Sequence, residues 1–228
     1  ALDALHRILP RIHRLPAMWS KNRSQCAIAL FDEPLMGRML TAAEPPAELV
    51  ALKPLPATVK GVLDAESHHL MRPLFRMEVE TVRQIKAIST ECRPLVAALH
   101  DQSLQSQYRW LLDALDVLSD KISLGRAIRS HFASATLDAD MLLDWEQELR
   151  LLIGRYVGLQ MDFVDIWRSV AKRSEIAIAL SYFAHIVERL DYLKGWLGRQ
   201  RLAIQTNHEV DYAMATYQTA GYLSLPTY

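Results

Sequence analysis

Proline disappears from the chain after Pro94 and does not return until Pro226. Proline removes a helical hydrogen-bond donor and clashes with the preceding turn, so the stretch without it is free to carry long helices. Glycine is also scarce. The eight glycines form no Gly-x-Gly-x-x-Gly, no phosphate-cradling loop and no Gly-x-Ser-x-Gly elbow, which excludes the common nucleotide-binding turns and the best-known serine nucleophile. Two cysteines, Cys26 and Cys92, are too few for a disulfide framework or a cysteine-built zinc site. They read as small buried hydrophobes. No long block of one charge occurs, and 26 basic residues balance 26 acidic ones. That leaves no basic face for nucleic acid and no patch for an anionic membrane surface. The longest apolar runs are short and broken by Arg, Asp or Glu, and the first residues lack a signal-peptide layout. A cytoplasmic location with no membrane span is the expectation.

What is present is an apolar half of 228 residues, enough for a sizeable core. Nine of the ten prolines lie between Pro10 and Pro94, so residues 1–76 are predicted to form short helices joined by extended turns and packed on a helical bundle. EPPAELVALKPLPATVKG, residues 44–61, is the clearest connector.

The proline-free part has helical periodicity throughout. Leu142, Trp145, Leu149, Leu152, Tyr156, Leu159, Phe163, Ile166 and Val170 are spaced by threes and fours, one continuous apolar stripe on a helix of about eight turns. Asp138 or Asp140 can cap its start, and Lys172 with Arg173 suits its C-terminal dipole. Ile176, Leu180, Phe183, Val187, Leu190, Leu193 and Leu197 repeat the pattern after a break at residues 171–175, which predicts an antiparallel hairpin. Residues 105–132 and 77–100 carry two further stripes, and strand signals are nearly absent. The fold class is therefore all-α: a helical bundle of about four long helices over 77–198, preceded by shorter proline-interrupted helices and followed by an aromatic tail, 199–228.

Several side chains invite chemistry. In ALFDEPLMGR, residues 29–38, the pair Asp32–Glu33 resembles a catalytic carboxylate pair, but Pro34 after it fits a helix start. Capping is the reading we adopt, with Asp32→Ala expected to cost about 1 kcal/mol. His68–His69 with Asp64 and Glu66 is the best metal-like cluster, yet it lacks further ligands at a useful spacing and reads as a solvated helix end. His6 and His13 share a basic face with Arg7, Arg11 and Arg14, while His185 lies one turn from Glu188 and Arg189 as a surface hydrogen-bonding group. Asp162, Asp165 and Arg168 read as a solvated charged face, and Glu146 with Arg150 as an i,i+4 pair. Gly154 and Gly158 form a G-x-x-x-G, each costing roughly 1 kcal/mol relative to Ala, and suggest close helix approach either within the bundle or across a dimer, of which the contact within the bundle is the expectation. The helical aromatics Trp110, Trp145, Tyr156, Trp167 and Trp196 are either core or the lining of a pocket.

Three segments, YRWLLDALDVLSDKISLGRAI, LLDWEQELRLLIGRYVGLQMDFVDIWRSVAKRSEI and ALSYFAHIVERLDYL, together with ALFDEPLMG, resemble the helical region that follows the catalytic barrel in bacterial glycoside hydrolases related to family 20, the β-N-acetylhexosaminidases. In that family an aspartate orients the substrate acetamido group and a neighbouring glutamate protonates the leaving oxygen. Both stand on a barrel of about 250 residues that a chain almost without strand signals does not contain. The resemblance implies a non-catalytic accessory domain of a larger carbohydrate-active protein, a fragment of a longer chain, partnered by a missing catalytic barrel or by a second copy. It assigns no catalytic residue, metal ligand or cofactor here. The alternative is a stand-alone helical interaction or small-ligand-sensing module.

Overall fold

The computed structural model describes residues 1–14, 19–20, 23–24, 30–31, 79–133, 136–170 and 176–210. Among them the architecture is all-α. A short helix α1 (Leu2–Ile8) runs into a 3-10 turn over Leu9–Arg14, where Pro10 sits near the start and withholds no donor that the turn needs. Four long helices follow: α2 (Val79–Ala97), α3 (Gln102–Ala133), α4 (Ala139–Val170) and α5 (Ile176–Gln205). The one ladder among the described residues is a two-residue antiparallel pairing, Trp19 with Ser24 and Ser20 with Arg23.

Sequence neighbours are spatial neighbours, and consecutive long helices run antiparallel. Lys86 meets Asp120 and Arg93 meets Asp113, which orients α2 against α3. The Trp110 indole donates to the Leu159 carbonyl (2.8 Å) while His131 stacks near Trp145, which orients α3 against α4. Glu146 meets Arg201 and Phe163 meets Phe183, which orients α4 against α5, the most closely packed pair.

The predicted stripe on α4 is the buried one: Leu142, Trp145, Leu149, Leu152, Tyr156 and Leu159 are in the core, with Phe163 and Ile166 half-buried. On α2 the buried set is Val82, Ile85, Ile88, Cys92 and Val96. Fully burying each such aliphatic side chain contributes about 1.5–3 kcal/mol, which outweighs the modest helix propensity of the β-branched residues.

The ends are fixed by local chemistry. Asp138 Oδ1 accepts from the Met141 amide (2.7 Å), and Asp101 Oδ1 accepts from Ser103 and Leu104 (2.8 and 3.1 Å), so both helices start on aspartate caps. Lys172 and Arg173 lie outside the described residues. α5 runs through Gln205 instead of yielding to a tail at 199. It stops because Asn207 takes a left-handed conformation (φ 54°), letting the His208 amide reach Ala203 O (2.8 Å) and the Asn207 amide reach Ile204 O (3.2 Å). The tail tyrosines 212, 217, 222 and 228 lie outside the described residues. No helix among them is long and apolar enough to cross a membrane.

Candidate functional site

Two apolar cavities share the side chains of Phe31 and Trp110. The first, about 630 Å³, lies between the N-terminal segment and α3, with Leu5, Leu9 and Ile12 on one side and Leu111, Ala114 and Leu115 on the other. The second, about 510 Å³, continues past Phe31 and Trp110 to Phe163 and Trp167 of α4 and to Ile178, Tyr182 and Phe183 of α5. Helical spacing builds these walls. Phe163 and Trp167 are four apart on α4, as are Ile178 and Tyr182 on α5, so each pair projects from one face.

The rings are arranged edge-on and tilted. Phe31 meets Phe183 nearly perpendicular (83°) at 4.9 Å between centroids, and Phe163 touches Trp110, Trp167 and Phe183 at 5.6, 5.4 and 5.7 Å. Such contacts add about 0.5–1.5 kcal/mol each beyond their buried area. Polar groups are few. At one rim His6 Nε2 lies 3.1 Å from the Tyr108 hydroxyl, and the Trp110 indole is already committed to Leu159 O.

Residues 30–31 are pinned from behind. Both the Lys121 ammonium (3.0 Å) and the Tyr156 hydroxyl donate to the Leu30 carbonyl oxygen, and both donors are buried. Lys121, 1 % exposed, is a charged side chain inside the core, where a charge persists only if it is hydrogen-bonded.

A third cavity of about 460 Å³ is lined by Asp120, Ser123, Glu148 and Arg155 with Trp145, Leu151 and Leu152. Two of its charges are engaged with each other: Asp120 accepts from Arg155 of α4, and also from Lys86 of α2 (2.6 Å). Burial pushes the Asp120 carboxyl upward, but the hydrogen bonds from Lys86 and Arg155 outweigh it and hold it below the usual aspartate value. This is a helix-tying ion cluster.

The sequence candidates separate clearly. Asp32, Glu33, Asp64, Glu66, His68, His69 and Cys26 lie outside the described residues. His6 is exposed at the cleft rim, Arg7 returns to Asp3 O (3.2 Å), and Arg11 pairs with Glu91 (2.8 Å); the His13 and Arg14 side chains are not among those described. Cys92 is a free, buried thiol whose pKa is raised by burial. His185 is exposed as expected, but Arg189 is buried rather than a surface group, because it falls on the inward face with Ile186 and Leu193. Asp162, Asp165 and Arg168 form the solvated face, with a loose 3.8 Å pair between the last two.

Two expectations are overturned. Glu146 pairs with Arg201 of α5 (2.6 Å), not with Arg150, because it flanks the buried Trp145–Leu149 stripe and faces the neighbouring helix. Gly154 and Gly158 do not mark close approach inside the bundle: both are exposed, and no described atom lies within 4 Å of where a Cβ would sit. Of the five aromatics, Trp145, Tyr156 and Trp196 are core, whereas Trp110 and Trp167 line the cleft. Phe31, Tyr108, Phe163, Tyr182 and Phe183 were missed as cleft residues. The four-residue spacing of Phe163 and Trp167 was the available signal.

No group of three or more His, Cys, Asp or Glu among the described residues is placed to hold a metal ion. No family model, no curated protein and no solved structure matches the chain. The likeness to family 20 glycosidases therefore rests on the quoted helical segments alone.

Proposed function

We propose that the chain is a helical small-ligand-binding module whose aromatic cleft takes a predominantly apolar molecule carrying a flat ring. One observation carries this reading: two cavities of ligand size meet at Phe31 and Trp110, with largely carbon walls and, among the described residues, few polar groups, the His6–Tyr108 pair at one rim and Tyr182 and Trp167 at the other. Binding sites for small molecules are typically clefts of about 300–1,000 Å³ with apolar walls and few orienting polar groups. Stacking on Phe163 and Trp167 supplies affinity, and the His6–Tyr108 pair supplies one polar contact that fixes orientation. A sugar fits this lining less well, because its hydroxyls need several polar partners when desolvated.

The quoted sequence segments favour a second setting for the same module, as the accessory helical domain beside the catalytic barrel of a family 20-like protein. In that setting the cleft is a docking pocket for the barrel or for a hydrophobic aglycone.

The test is titration with the fluorescent probe 1-anilinonaphthalene-8-sulfonate, with Trp fluorescence and thermal unfolding followed in parallel. Saturable binding that raises the melting temperature and is weakened about tenfold by Phe163→Ala, while Tyr192→Ala elsewhere on α5 leaves it unchanged, supports the cleft. Saturable binding indifferent to Phe163→Ala and Phe183→Ala refutes it, as does the absence of any stabilisation.

A further inference from the structure

Four of the seven large hydrophobic side chains left exposed among the described residues lie on one face of α4. Leu151 and Met161 are 70 % and 66 % exposed, and Leu143 and Val157 are exposed beside them. Gly154 and Gly158 lie in the middle of this face, each two residues from the fully buried Tyr156 and so about 200° around the helix from the core. The face is opposite the aromatic cleft and independent of it. Two glycines in an exposed helix interior are unfavourable for the protomer alone, and bracketing them with exposed Leu and Met adds apolar surface that the isolated chain leaves in water.

We infer that α4 pairs through this face with α4 of a second copy, antiparallel about a two-fold axis beside residue 156. The charges choose the occupant and its direction. With α4 turned end for end on itself, Gly154 faces Gly158, Leu151 faces Met161, Gln147 faces Asp165 and Asp144 faces Arg168. Every layer is then small on small, apolar on apolar or polar on a complementary partner, and the two-fold repeats each pairing. Parallel self-pairing in the same register sets Asp144 on Asp144, Asp165 on Asp165 and Arg168 on Arg168, three like-charge layers. The glycines allow close backbone approach at the axis, as small residues do at other helix crossings. Val157 meets its own copy on one flank. On the other, Arg155 is held by its own Asp120, and Glu148 and Asp162 lie at the solvated rim, where like charges are screened and count for little. A single helix pair buries less than a standard interface, so the dimer is a reversible one.

Sedimentation velocity of the full chain over a hundredfold concentration range reads the association. A monomer–dimer equilibrium is expected. Gly154→Leu with Gly158→Leu should weaken it at least tenfold without lowering the melting temperature of the dilute protein, because no described atom stands in the way within the protomer. Register is read by oxidative cross-linking in a background without Cys26 and Cys92. Chains carrying Leu151→Cys mixed with chains carrying Met161→Cys should cross-link, while either chain alone should not, since residue 151 is ten residues, about 15 Å, from level with its own copy. A monomer at every concentration overturns the inference, as does a dimer indifferent to the leucine substitutions. Cross-linking of either cysteine chain by itself overturns the antiparallel arrangement.

Discussion

Removing the Tyr156 hydroxyl and the Lys121 ammonium, separately and together, measures how residues 30–31 are held against the cleft. Both groups donate to one carbonyl oxygen, Leu30 O, which has two lone pairs and, while either donor remains, is not left bare. Tyr156→Phe removes the hydrogen bond to Leu30 O and is expected to cost about 1 kcal/mol. Lys121→Met removes the other described donor to Leu30 O while keeping most of the volume, and is expected to cost at least about 1 kcal/mol. The double variant strips both described donors from one buried carbonyl and should cost about 1–2 kcal/mol more than the sum of the singles, because the second removal leaves neither to compensate for the other. Equilibrium urea unfolding followed by tryptophan fluorescence gives all four stabilities. Additivity within about 0.5 kcal/mol would refute the reasoning, because groups that do not share a partner add.

Three other outcomes are expected from the geometry. Asp120→Asn should lose about 1 kcal/mol at pH 7, a screened value for a half-exposed cluster; since the folded carboxyl is held below its ordinary value, its contribution is present above about pH 3.9 and fades as pH falls through the lowered value, so wild type and variant should converge in acid unfolding curves. Cys92 should resist iodoacetamide in the native chain and react on unfolding, and Cys92→Ser should cost about 1–3 kcal/mol by burying a hydroxyl among aliphatics. Asn207→Gly should hold or improve the end of α5, whereas Asn207→Ile, β-branched at positive φ, should cost about 1–2 kcal/mol and speed amide exchange at His208.

The long helices were legible because burial repeats every 3.6 residues, and the Leu142-to-Ile166 stripe needs only one wet and one dry side to announce itself. The capping role of Asp138 was legible for a similar reason, a short-range hydrogen bond written within four residues. The end of α5 was legible in principle, since Asn207 is a residue type that tolerates the left-handed turn, but an expected boundary at 199 passed over it. Partners across helices were not legible: periodicity tells which way Glu146 points and not that Arg201 stands there. The cleft has the same difficulty, because Phe163 and Tyr156 belong to one stripe and only the elements opposite decide that one meets a cavity and the other a packed core. The exposed glycines were the reverse case. Their offset of two from Tyr156 already set them on the far side of the helix.

The ion cluster at Asp120 and the Arg93 contacts to Asp113 and Asp116 act on α3 like two teeth of a key. One carboxylate engages helices on both sides at once, and the other two engage a single arginine about a turn earlier. A one-residue insertion between Asp116 and Asp120 would leave the first engagement intact while turning the second through about 100° and moving it by about 1.5 Å. Substitutions along this segment are tolerable one at a time, but changes in its length are not, so variation among chains of this kind should be sparse in insertions between 113 and 120 even where the residues themselves differ.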